Sequence, residues 1–395
     1  MGDLQKIKER LDAVSPTLCL AKWKNATIHL HNGQTQSCHH VASHDVGKNH
    51  LHNTIKKRDS RKKMLDGQRP DECRYCWDVE DNGDWSDRFH KSAESVYQDF
   101  FQEVVNSGTG ATINPSFLEI AFENTCQFRC AYCSPIHSSS WQKEILQWGN
   151  YPTWGHRINS RQHRKKWPSS SIEKENRLKK FWAWWPTLRH DLRYLRVTGG
   201  EPFLTQHTFR LIDHLIDEKA PNLQFAVNTN LGFDPIVLKK LTERMTALQE
   251  SVQHFLIFSS LDTWGPQAEY IRFGLDLQLF KKNVETILTK AKRPLTFCFM
   301  ITVNNLSLPH LRELLEYIVE LKRKFPQHAI EIDSPHLVHP EYLSVSILTG
   351  DFRRFLKEAV KYAKKVGVFS ETEVQKLERI IPMIGSERLN PAKTF

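Results

Sequence analysis

No stretch of the 395 residues approaches the roughly 18 uninterrupted apolar positions of a membrane span. The opening residues, Met1-Gly2-Asp3-Leu4-Gln5-Lys6, run into charge and lack the apolar centre of a secretion signal. Internal repeats, low-complexity tracts and lipidation motifs are missing as well. The expectation is a soluble, cytoplasmic protein with no membrane partner. Its 39% hydrophobic and 25% charged residues are ordinary globular composition, sufficient for two or three domains. An excess of 55 Lys and Arg over 45 Asp and Glu gives +10, which suits acidic partners such as nucleic acid or an acidic peptide, or serves solubility alone.

Cysteine is scarce but clustered. Eight residues fall into three groups: Cys19, Cys38, Cys73 and Cys76; Cys126, Cys130 and Cys133; and Cys298 alone. The cytoplasm keeps thiols reduced, so clustered cysteines there read as metal ligands rather than disulfides. Cys298, inside an apolar strand pattern, reads as a small core residue.

From about residue 10 to 90 the chain is polar and His-rich, and Ile28 to Gln36 reads as a hairpin around Asn32-Gly33. Metal, more than core, is expected to hold this segment. From Phe117 onward, short apolar runs alternate with amphipathic helices. The expected strands are Phe117 to Phe122, Tyr194 to Thr198, Leu223 to Asn228, Phe255 to Ser260, Thr296 to Val303 and Ala329 to Asp333. The helices expected between them include Thr208 to Asp217, Pro235 to Leu248, Leu277 to Lys290 and Leu308 to Lys324. Six strand-helix units predict an α/β fold with a parallel sheet, either open and doubly wound or a partial barrel, binding ligands at the carboxyl ends of its strands.

Cys126-Gln-Phe-Arg-Cys130-Ala-Tyr-Cys133 begins just after the first of these strands, with no fourth cysteine nearby. Three thiolates can hold three irons of a cubane cluster and leave the fourth iron to an outside ligand. On spacing alone, a zinc site borrowing His137, or a cluster closed by Cys298, stays open. After the second strand comes Thr198-Gly199-Gly200-Glu201-Pro202, two glycines that let backbone approach a neighbour closely, followed by a carboxylate.

Taken in order, the Cys-x3-Cys-x2-Cys loop, the Gly-Gly-Glu-Pro turn and the six-unit βα chain resemble the radical S-adenosylmethionine (SAM) superfamily over residues 115–335. That resemblance implies a partial (β/α)6 TIM-type barrel. It also implies that Cys126, Cys130 and Cys133 ligate a [4Fe-4S] cluster whose free iron is chelated by SAM. Tyr132 matches an aromatic beside the adenine, and Gly199, Gly200 and Glu201 match the turn that receives the methionyl amino group. Asn228 and Asn230 resemble a polar strand end that reaches SAM, although a strand-end cap explains them equally well. Ser260 and Asp262 resemble ribose and carboxylate contacts. Arg272 matches an arginine that pairs with the SAM carboxylate in peptide-modifying members, with a solvated surface arginine as the plain alternative. The implied chemistry is electron transfer to the sulfonium, with release of a 5′-deoxyadenosyl radical that abstracts hydrogen from substrate.

Cys19, Cys38, Cys73 and Cys76 supply four thiolates, enough for a closed cluster or a structural zinc. With Lys63-Met64-Leu65-Asp66-Gly67 before the pair and Trp77 and Glu80 after it, their order is similar to the auxiliary [4Fe-4S] modules called twitch and SPASM. Here the module precedes the core, where it usually follows. Zinc stays open because His39, His40 and His44 lie close by. Residues 141–190 interleave Trp141, Trp148, Trp154, Trp167, Trp182, Trp184 and Trp185 with Arg157, Arg161, Arg164, Lys165 and Lys166, a pattern for gripping bases or an acidic peptide, or for a helical cover with core tryptophans. Lys56, Lys57, Arg58, Arg61, Lys62 and Lys63 read as a solvated helix face.

The expected organisation is a twitch/SPASM-like module at 10–90, a core at 112–340 with the 141–190 insert, and a helical extension at 341–395. The expected function is radical SAM modification of a macromolecule, a peptide or protein ahead of RNA, fed by an electron donor such as flavodoxin or ferredoxin. A zinc-bearing nucleic-acid-binding protein on an enzyme-like scaffold is the alternative. No catalytic acid or base stands out, Glu123 and the Cys19 group being the nearest candidates.

Overall fold

The computed structural model describes residues 2–48, 50–108, 111–149, 167–168 and 170–386. Its strands are β1 (Asn25–His29), β2 (Gln34–Gln36), β3 (His44–Asp45), β4 (Phe117–Ala121), β5 (Arg129–Cys130), β6 (Tyr194–Thr198), β7 (Ala220–Thr229), β8 (Val252–Ser260), β9 (Arg272–Phe273), β10 (Thr296–Met300) and β11 (Ala329–Asp333). All six strands expected from alternation and apolar runs are present, β7 and β8 starting earlier and β10 ending earlier than the pattern predicts. Helices Gln206–Asp217, Pro235–Ser251, Leu277–Lys290 and Leu311–Lys324 fill the gaps between them. The fold is mixed α/β, and its longer strands pair mostly in parallel.

The chain divides into two compact units. The first comprises residues 1–122, 168–197 and 220–224. There β1 runs parallel to β4, Asn25 opposite Phe117 and His29 opposite Ala121, while β2 and β3 continue antiparallel beyond it. The expected hairpin is β1–β2, turning through Asn32 and Gly33, whose φ of 73° suits glycine. The N-terminal segment thus shares a sheet with the strand that leads into Cys126.

Two expectations for this unit need correction. Residues 10–90 are not poor in core: Leu11, Leu18, Trp23, Met64, Trp77 and Phe89 join Tyr97, Phe101 and Ile113 in one buried apolar cluster. Nor is the Lys56 to Lys63 run a solvated face throughout. Lys57 and Arg61 turn inward, Lys57 Nζ donating to Thr35 Oγ1 (2.9 Å) and the Gln36 carbonyl, Arg61 to Asn53 Oδ1 (2.8 Å) and the Lys22 carbonyl.

Helix Ser171–Asp191, also in the first unit, shows three tryptophans of the insert as packing residues, whereas Trp148 is exposed. Phe181 and Trp185 are buried, Trp182 stacks on Phe122, and Trp184 donates to Asn114 Oδ1. Trp154, Arg157, Arg161, Arg164, Lys165 and Lys166 lie outside the described residues.

The second unit comprises residues 123–167, 198–219 and 225–395. In it the end of β7 is followed in the sheet by β8, β10 and β11, the same order as in the chain, and β10 is parallel to both β8 and β11. Parallel neighbours joined by helices bring successive strand ends to one edge of the sheet, where the site lies. A separate two-residue antiparallel ladder joins β5 to β9.

Candidate metal and cofactor site

The cysteine loop is held from both sides by local hydrogen bonds. Ser138 caps helix Ser139–Trp148 by accepting from the Trp141 N–H, while its hydroxyl donates to the Phe128 carbonyl (2.7 Å). Ser139 Oγ accepts from the Cys126 N–H, Ser140 Oγ donates to the Cys126 carbonyl, and Trp141 Nε1 donates to the Cys130 carbonyl (3.0 Å). The sequence reading passed over Ser138, Ser139 and Ser140, although a serine run ahead of an amphipathic helix is an N-cap signal. On the opposite side, β5 meets β9 with Cys130 directly across from Arg272, and the Ala131 N–H bonds to the Ile271 carbonyl.

Phe128, fully buried between Cys126 and Cys130, seats the loop on Gly232. A Cβ at Gly232 would stand 2.2 Å from Phe128 Cζ, so this position accepts no side chain without moving the loop. The Gly199-Gly200-Glu201 turn docks beside it. Gly199 has φ of 125°, and the N–H groups of Gly200 and Glu201 bond to the carbonyls of Glu123 and Thr125. A Cβ on Gly200 would lie 2.3 Å from the Thr125 oxygen, so the second glycine serves the approach of the cysteine loop. Glu201 is buried and accepts from Thr229 Oγ1 (2.8 Å), the Asn230 N–H (2.7 Å) and the Phe203 N–H (3.1 Å). Burial raises its carboxyl to about 7, against the lowering by those three donors.

Three donors aim at the thiols. Asn230 Nδ2 lies 3.7 Å from Cys126 Sγ and Arg272 Nη1 lies 3.8 Å from Cys130 Sγ, and the Phe128 N–H also points to Cys126 Sγ (3.4 Å). Gln127, absent from the sequence-based set, bonds to Asn230 Oδ1 (3.0 Å). Asp262, Tyr132 and Arg272 form one knot: the Tyr132 hydroxyl donates to Asp262 Oδ2 (2.8 Å), and Arg272 Nη2 donates to both the Tyr132 oxygen (2.6 Å) and Asp262 Oδ1 (3.0 Å). Arg272 is therefore buried and ion-paired, which excludes the solvated-surface alternative. Asn228 and Ser260 lie near the ends of β7 and β8, Ser260 opposite Met300.

Burial pushes the thiol of Cys126 up to about 12 and raises those of Cys130 and Cys133, each further raised by a neighbouring cysteine or carboxylate and lowered by Arg272. Thiolate character there thus depends on cations and N–H donors, the environment that a metal centre's sulfur ligands require. On this donor set the three cysteines fit an iron-sulfur cluster with one open position. Cys298 is set apart: the charges acting on it are Asp333, Glu331, Lys376 and Glu373. It is buried in β10, as its apolar context predicts.

In the first unit, Cys19, Cys38 and the Cys73–Cys76 pair come from three segments and act on one another. Burial is the largest cause raising each thiol, Cys76 reaching about 12, and Cys73 further raises Cys19, Cys19 raises Cys38 and Cys76, and Cys38 raises Cys73. Four thiols that feel one another's charge are the number a closed metal site takes. Ligand atoms of Cys38, His39 and His40 also lie within 4.8 Å of one another, and Asp87 Oδ2 is 2.8 Å from His40 Nε2. His44 instead bonds to Thr54 Oγ1 (2.8 Å).

Among the described residues no helix is long and apolar enough to cross a membrane. No protein-family model matches the chain, and no curated protein matches it. Among solved structures it is similar to SuiB of Streptococcus suis, with TM-score 0.39 and 10% identity over 87% of this chain and 69% of that one. Against SuiB bound to S-adenosylmethionine the TM-score is 0.40 at 11% identity, and against SuiB bound to the precursor peptide SuiA it is 0.40 at 12%, each covering 87% of this chain and 70% of the other.

Proposed function

We propose that the chain is a radical SAM enzyme acting on a macromolecular substrate. The observation that carries this reading is the cysteine loop itself: three thiols on one short loop at a parallel strand's carboxyl end, with Asn230 and Arg272 directed at two of them. Cys126, Cys130 and Cys133 would hold the [4Fe-4S] cluster, and Tyr132, Gly199, Gly200, Glu201, Asn228, Asn230, Ser260, Asp262 and Arg272 would form the surroundings of SAM. When bound, the two together supply an electron and a carbon radical able to abstract hydrogen.

The protein's share is order and dryness. Glu201 ties the Gly-Gly turn to the end of β7, so the backbone beside the loop is fixed before any ligand arrives. The buried Asp262 and Arg272, with the half-buried Tyr132, give the site a polar wall whose partners are already chosen. Cys19, Cys38, Cys73 and Cys76 would hold a second, auxiliary cluster. Zinc at that place is a second reading, supported by the closeness of Cys38, His39 and His40. For the substrate, a peptide or protein stands ahead of RNA, and an electron donor such as flavodoxin or ferredoxin would supply the reductant.

The test is anaerobic purification and reconstitution, with iron, sulfide and zinc measured and SAM cleavage followed as 5′-deoxyadenosine. Replacing Cys126, Cys130 and Cys133 with Ala should abolish cleavage and remove about four irons while the metal of the first unit remains. Undiminished 5′-deoxyadenosine from that variant would refute the assignment. Binding to host peptide and host RNA pools at two salt concentrations then orders the substrates, since each neutralised single-strand phosphate adds about 0.7 to the salt slope.

A further inference from the structure

Cys130 and Arg272 are 142 positions apart in the chain, yet they face each other across the β5–β9 ladder. The guanidinium is held at one end and directed at the other. Nη2 is fixed by Asp262 Oδ1 (3.0 Å) and the Tyr132 oxygen (2.6 Å), which leaves Nη1 aimed at Cys130 Sγ, 3.8 Å away. Asp262 is fully buried and its Oδ1 also accepts from the Thr302 N–H (3.3 Å), so the anchor cannot swing freely. Both terminal nitrogens of Arg272 are thus engaged by protein atoms, while Nε has no hydrogen-bond partner.

We propose that Arg272 is a positioning residue that hydrogen-bonds to the Cys130 thiolate and raises the reduction potential of the cluster bound there. The inference rests on the cluster reading given above. Reduction by one electron from a low-potential donor adds negative charge to the cluster and its sulfurs. A fixed N–H of a permanent cation, aimed at a ligand sulfur, favours that more negative state. Its burial removes the solvent screening that would weaken the effect at a surface. Asp262 offsets the formal charge of the pair, so the directed hydrogen bond to the sulfur carries the bias.

The experiment is a potentiometric titration of the anaerobically reconstituted full-length protein without SAM, followed by the electron paramagnetic resonance signal of the reduced cluster, with dithionite as reductant. The main variant combines Arg272→Met with Asp262→Asn, which removes one charge of each sign. Its cluster should be harder to reduce by a factor of ten or more, a fall of about 59 mV for a one-electron couple. Tyr132→Phe, which frees one anchor and keeps the guanidinium, should shift the midpoint the same way by less. If the double variant loses its iron, Arg272→Lys, which keeps the charge but loses the directed N–H, is titrated in its place; its midpoint should also fall, and an unchanged midpoint there overturns the inference. An unchanged midpoint at unchanged iron content overturns it, as does a shift that emerges only once SAM is added, the signature of pairing with the SAM carboxylate. A parent protein that takes up no iron would instead refute the cluster reading itself.

Discussion

Glu201 and Lys57 are both enclosed, and each has three partners for its polar atoms, the condition under which a buried charge-bearing group is tolerated. Burial holds Lys57 well below the usual lysine range, helped by Arg61 and Lys22, and its enclosure also acts on its neighbours. His44, beside Lys57 and Lys56, drops to about 4, chiefly through burial and then through those two lysines, and His52 is lowered well below the usual histidine range by burial, Lys57 and Arg61. Both rings are therefore neutral in the folded protein when the unfolded chain, near 6.5, begins to take up protons. A depressed pKa contributes stability that is present above the unfolded value and lost as pH falls toward the folded one. The expected outcome is a thermal midpoint that drops between about pH 6.5 and 4, and drops less in His44→Gln, which does not titrate. Parallel slopes for the parent and the variant would contradict this account. The effect of His44 alone will be modest, because the ring is only half-buried and solvent screens it.

In the second unit the closest approaches around the cysteine loop are made at glycines. Gly200 lets the turn after β6 lie against the Thr125 carbonyl, and Gly232 lets the segment after β7 lie against Phe128. The β5–β9 ladder is two residues long and could not hold its register alone, so these contacts and the Ser138 to Trp141 bonds fix it. Gly200→Ala should therefore destabilise by about 1–3 kcal/mol, because backbone rather than a flexible side chain must move. Gly350 has open space around it, and Gly350→Ala should be nearly neutral. Urea unfolding of both variants measures this, and equal midpoints would show that the loop yields easily. Loss of iron from Gly200→Ala at retained fold would further place the turn's role in seating Cys126.

Across the whole molecule, the apolar cluster of the first unit changes what loss of its metal should do. With Trp23, Trp77, Phe89, Tyr97 and Phe101 packed together, replacing Cys19, Cys38, Cys73 and Cys76 with Ala should remove metal and leave residues 10–90 resistant to limited proteolysis. Early cleavage there would restore metal as the main support. Local patterns made much of this chain legible: the six strands, the intervening helices, the Asn32-Gly33 hairpin and the burial of Cys298 all follow from side-chain periodicity and turn chemistry, which act over a few residues. The grouping of Cys126, Cys130 and Cys133 was equally plain, because three ligands on one loop need no distant partner. The inward turn of Lys57 and Arg61 was not, since a charge run reads the same whether its helix faces water or a pocket of carbonyls. Neither was the pairing of Cys130 with Arg272, nor the fit of Phe128 against Gly232. The sequence by itself determined which segments become strands and helices and which thiols are grouped on one loop. Only the tertiary structure decided which cation reaches which sulfur, because register between distant strands is set by packing over the whole unit, and no local spacing encodes it.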